Sequence, residues 1–238
     1  MIKADGSVRR FTLPAFSQEV NAVCASCNNG WMNDMEQAVQ PFLGSMLRSA
    51  ALTRLHPSRQ SALASWAVKT AFMFQQIHPR DPVIPPSEYA RFYAAKRPPV
   101  GYVVWLGHRA VTLDQGVELE AFVLSRQAPI TRVNVRDQDR LVSIKDEIAK
   151  GRSVFRSAFA IGRVAFAVFG HNFTGGGFEL GIVQRGSRVD PACWIWPIQG
   201  RGWWPPPDSI EKIGGFDGWY KAFDGPPETE VSSSIVEE

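Results

Sequence analysis

An α+β fold, with helices packed on a mostly antiparallel sheet, is predicted by two features of the sequence. Before Val100 apolar residues recur at spacings of three and four; after it, short β-branched and aromatic runs are separated by Gly, Asp and Pro. Helices followed by strands, rather than alternating with them, is the α+β pattern. At 238 residues the chain can bury a proper core as one large domain or two small ones. Composition divides it into residues 1–50, a cysteine turn and helix; 51–224, a helical hub with the sheet; and 225–238, an acidic tail expected to be disordered.

The elements follow in order. A strand is expected over Val8 to Leu13, ended by Pro14. Asn33 and Glu36 form a capping-box pattern ahead of Met35, Val39 and Phe42, so a helix should begin there, kink at Pro41 and run to Arg48. The strongest helix spans Ser58 to Gln76. Its residues Leu63, Trp66, Ala67, Thr70, Ala71 and Phe74 make one apolar stripe, leaving Lys69, Gln75 and Gln76 in solvent. Ser87 should cap a short helix to Lys96. Strands are expected at Gly101 to Gly107, Arg109 to Leu113, Leu119 to Leu124, Ile130 to Val135 and Phe178 to Gln184. Val154 to Gly170 reads as two more strands turned at Gly162 and Arg163. Trp194 and Trp196 alternate as on a strand, and Asp208 to Phe223 reads as one or two short helices.

Composition narrows the function. No apolar run approaches the roughly 20 residues of a membrane-spanning helix, and the first residues lack a signal-peptide core, so no membrane partner and a cytoplasmic location are expected. Three cysteines, an odd number, do not make a disulfide scaffold. The formal charge is +3, but the tail Gly225 to Glu238 holds four Glu and no basic residue. Without it the balance is 26 basic to 19 acidic side chains, a net of +7 that is compatible with a polyanion such as DNA. Arg132, Arg136, Arg140, Lys145, Lys150, Arg152 and Arg156 are dense enough for a patch, diluted by Asp137, Asp139, Asp146 and Glu147.

One stretch implies specific chemistry. Cys24 and Cys27 stand three positions apart, a spacing that lets two sulfurs converge on one ion and normally supplies half of a tetrahedral zinc site. His56, His78, His108, His171 or Cys193 from elsewhere in the chain, or a second chain, would have to complete it; alternatively the pair stands empty, reduced or joined as a disulfide. The spacing is also that of thiol redox motifs, although no βαβ pattern surrounds it.

The string CASCNNGWM, Cys24 to Met32, with an acidic residue soon after, resembles the second knuckle of HNH-type endonuclease-like proteins of bacteria and phages. The helix Leu63 to Phe74, the IPP at Ile84 to Pro86, the segment Ala160 to Gly170 and the Trp-Pro pairings at Ile195 to Pro197 and Trp203 to Pro207 also look like larger members. The resemblance implies Cys24 and Cys27 as structural Zn2+ ligands, Asn28 as a ligand of a catalytic divalent metal, and metal-dependent phosphodiester hydrolysis. It also implies a preceding CxxC and a hairpin carrying a catalytic His. The residues Met1 to Val23 hold neither Cys nor His, so the chain is expected to be either a shortened copy or a relative with a zinc-knuckle remnant that binds nucleic acid without cleaving it. A reading of another class is a non-enzymatic α+β binding protein of phage origin, with a vestigial knuckle.

Each residue also has an ordinary role. Asn28, Asn29 and Gly30 suit a tight turn with positive φ, Trp31 is expected against the hub helix, and Glu36 serves as a cap partner. His171 to Gly177 reads as a hairpin connection rather than a phosphate loop, since it lacks the GK[ST] of one. His56 begins a helix, and His78 and His108 sit in turns. The tryptophans near Arg201 either stack nucleobases or fill the core.

Overall fold

The structure, a computed structural model, describes residues 23–77, 84, 86–111, 119–122, 154–171, 192–198, 200 and 202–222. The strands expected at 8–13, 130–135 and 178–184, most of the basic run, His78 and the acidic tail lie outside them.

The chain has an α+β fold. A short helical turn α1 (Ala25–Cys27) passes through a π-helical segment (Asn28–Met32) into α2 (Asn33–Arg48). Then come β1 (Thr53–Leu55), α3 (Pro57–Ile77), α4 (Pro86–Ala95), β2 (Val103–His108), β3 (Leu119–Phe122), β4 (Val154–Ile161), β5 (Val164–His171), β6 (Ala192–Trp196) and β7 (Gly202–Trp204). A 3-10 turn (Ile210–Ile213) and α5 (Gly215–Ala222) follow. Among the described residues every strand pairing is antiparallel. One sheet has the order β3-β4-β5-β2-β6, and β1 pairs with β7 in a separate ribbon. The β4–β5 hairpin turns at Gly162 and Arg163 as the sequence predicts, with Gly162 at φ 52°, a conformation open chiefly to glycine.

The strands carry two different faces. Val104, Leu106, Phe159, Val164, Phe166 and Val168 join the core that α3 and α2 cover. Around Trp105 the residues between them are small: Gly107 pairs with Ala165, which pairs with Ala160, and Trp105 itself pairs with Ala167, which pairs with Ala158. This second face is buried too: Gly107 lies directly under Ile210 and Trp219 of the C-terminal segment, and Trp105 packs on Trp194.

Several expectations fail for identifiable reasons. Lys69 and Gln75 are buried, not solvated, because α3 is enclosed on most of its circumference from Leu63 to Lys69. The Lys69 ammonium pairs with Glu36 and sits near the Trp66 ring, while Gln75 accepts a hydrogen bond from the Ile84 amide at 3.1 Å. Glu36 is therefore an ion-pair partner rather than a cap, and Asn33 lies inside a helical run that has already begun at Ala25. Pro41 does not interrupt α2. Both it and Gln37, the carbonyl that loses its donor, are exposed, so water can take the place of the missing bond. His108 ends β2 instead of occupying a turn, His171 ends β5, and the described part of the expected strand at Arg109 is not a strand.

Candidate functional site

The cysteine turn sits at the head of the α1–α2 run. Cys24 has extended backbone (φ −66°, ψ 149°) and is the N-cap: its sulfur accepts the Cys27 amide at 3.3 Å, and its carbonyl accepts the Asn28 amide at 3.0 Å. Ser26 Oγ lies 3.2 Å from the same sulfur. These contacts from Ser26 and Cys27 stabilise the thiolate and bring the Cys24 thiol down to about 7. Cys24 is exposed and Cys27 half-buried.

Asn28 follows in helical conformation (φ −64°, ψ −48°) with an exposed side chain, so the positive-φ turn expected for Asn28 to Gly30 is not formed. The chain leaves helical geometry only at Gly30 (φ −95°, ψ −118°), where the π-helical segment absorbs the bend. Trp31 then turns to α4, its ring edge-on to Phe92 at 5.9 Å and Tyr93 at 5.8 Å, rather than finding its ring partners on the hub helix.

At the end of α4, Lys96 takes a left-handed conformation (φ 52°), a helix-ending geometry ahead of Arg97 and Pro98. Its ammonium stands over the Tyr93 ring at 3.2 Å and the Trp31 ring at 4.5 Å, and it interacts electrostatically with Cys27. The site thus combines two thiols, one asparagine, two aromatic rings and one cation. Sequence reasoning missed Tyr93 and Lys96, because their approach to the turn depends on Trp31 of the π-helical segment meeting α4, some sixty positions away.

Among the described residues no group of three or more His, Cys, Asp and Glu is gathered. His56 is exposed ahead of α3, and His171 is buried against Gly101. Cys193 lies in β6 with its thiol raised by burial, against Gly202. The C-terminal tryptophans are mainly core: Trp204 is fully buried, Trp194 packs on Trp105 at 4.9 Å, and Trp196 is partly buried; Trp203 alone of the four is exposed. No described helix is long and apolar enough to cross a membrane.

Comparison with known proteins finds no family model, no curated protein and no solved structure that matches the chain.

Proposed function

We propose that this protein is an HNH-endonuclease-like, nucleic-acid-directed protein that binds rather than cleaves, using Cys24 and Cys27 as two ligands of a structural Zn2+. The observation that carries the reading is the pair itself: two sulfurs on one turn, the first exposed, accepting the Cys27 amide and stabilised as thiolate, followed by Asn28. A tetrahedral Zn2+ needs four N or S ligands, so the two remaining ligands come from residues beyond those described or from a second chain. Asn28 is the position for a catalytic divalent ion where a His-bearing hairpin is supplied. The net +7 over residues 1–224 supplies the charge for DNA contact.

Elemental analysis of the reduced full-length protein, beside Cys24→Ser and Cys27→Ser, tests this. Zinc should bind the parent protein and be lost in both variants, at one ion per chain or one per two chains. Retention of the parent on DNA should fall steeply with added salt. Equal zinc in parent and variants, or no retention at low salt, overturns the proposal.

A further inference from the structure

We infer that Cys24 and Cys27 form a reversible dithiol–disulfide couple, with Cys24 as the attacking thiol, Cys27 as the resolving thiol, and low-molecular-weight disulfides as the exchange partner. Three geometric observations carry this. Cys24 is exposed, so a disulfide can approach its sulfur along the bond to be broken. The Cys24 sulfur stands 3.3 Å from the Cys27 amide nitrogen, which places the two side chains together on one turn, where a bond of ~2.05 Å between the sulfurs can form. The turn between the two residues is held a second time by the Cys24 carbonyl, which accepts the Asn28 amide at 3.0 Å.

The third cysteine is placed differently. Cys193 is half-buried in β6, its thiol directed to the Trp194 carbonyl at 3.7 Å and closed over by Gly202, so it provides a control within the same molecule.

The exchange balances as follows. The Cys24 thiolate attacks one sulfur of glutathione disulfide, forming a mixed disulfide and expelling one glutathione thiolate. Cys27 then gives up its proton to solvent and attacks the Cys24 sulfur, forming the intramolecular bridge and expelling the second glutathione. Two protein thiols lose two electrons and two protons, and one glutathione disulfide becomes two glutathione thiols. The bridge removes both sulfurs from metal coordination, but the couple itself does not require that a metal be bound.

The test exposes the reduced full-length protein to glutathione disulfide with a chelator present, which separates the outcome from zinc occupancy. Peptide mass mapping then follows each cysteine. The parent should lose two hydrogens across Cys24 and Cys27 at least about tenfold faster than Cys193 reacts. Cys27→Ser should instead accumulate a glutathione adduct on Cys24, and dithiothreitol should reverse both products. Circular dichroism of the oxidised parent should match the reduced form, as expected for a bridge within one turn. Persistence of both thiols, reaction first at Cys193, or an unresolved adduct in the parent overturns the couple.

Discussion

At Cys24, one amide and one hydroxyl decide how a side chain that is usually protonated at neutral pH behaves. The spacing of Cys24 and Cys27 was legible in the sequence because it is a local property of the chain. Lys69 was not legible, since its fate depends on Glu36, 33 positions away. His108 is another residue whose behaviour is set by the fold. Its Nε2 is buried with no hydrogen-bond partner among the described residues, and its ring meets Trp204 edge-on at 5.4 Å. Burial lowers its pKa from the ordinary 6.5, helped by Arg163 and opposed by Glu211. The unfolded chain therefore takes up a proton at a higher pH than the native one does. Stability is fully present above 6.5 and declines as pH falls through 6.5 toward the lower folded value. Thermal melts between about pH 8 and 5 should show a steeper loss for the parent than for His108→Gln; equal slopes would remove His108 as the cause.

At the scale of elements, α4 is tied to the start of β2 by a buried carboxylate. Glu88, 1% exposed, accepts the Tyr102 hydroxyl at 2.8 Å and Arg91 Nη1 at 2.7 Å, while Arg91 Nη2 reaches the Val100 carbonyl at 3.1 Å. Desolvation, with the Glu88 charge beside it, holds the Tyr102 phenol well above its usual pKa, so it remains a donor at every working pH. Tyr102→Phe leaves one Glu88 oxygen short of that donor and should cost about 1–3 kcal/mol. Urea unfolding with an unchanged m-value would register the loss, whereas an unchanged midpoint would show that the bond contributes nothing net. The sequence marked a helix here but placed its cap at Ser87, which lies inside a helix that already begins at Pro86, and it did not mark this link. A Glu near a helix start reads as a solvated, dipole-favoured residue, and only the approach of Tyr102 explains its burial. Similarly, α3 was legible as a helix from its spacing, while the extent of its burial was not: a stripe identifies one buried face, and α2, α4 and the sheet cover others.

At the scale of the whole molecule, one core joins α2, α3, α4 and both sheets, and the second face of the larger sheet depends on the C-terminal segment. A Cβ on Gly107 would stand 3.0 Å from Ile210 Cγ2 and 3.1 Å from Trp219 Cζ2, closer than packed side chains normally come. Gly107→Ala should therefore push that segment off β2, costing about 1–3 kcal/mol. Cleavage after Lys212 by trypsin, followed by gel and mass analysis, should accelerate in the variant; equal cleavage rates with an unchanged melting temperature would show that the seat tolerates a methyl group. The Ala-Gly alternation behind this fit was present in the strands, but small residues on a strand do not announce what will lie on them. The dependence extends to biosynthesis. Strand β2 leaves the ribosome about a hundred residues before Ile210 and Trp219 do, so Gly107 waits for its cover while the intervening chain is made. During that interval the nascent chain is exposed to chaperones and proteases, and a stop before Ser209 would leave Gly107 without Ile210 and Trp219 over it.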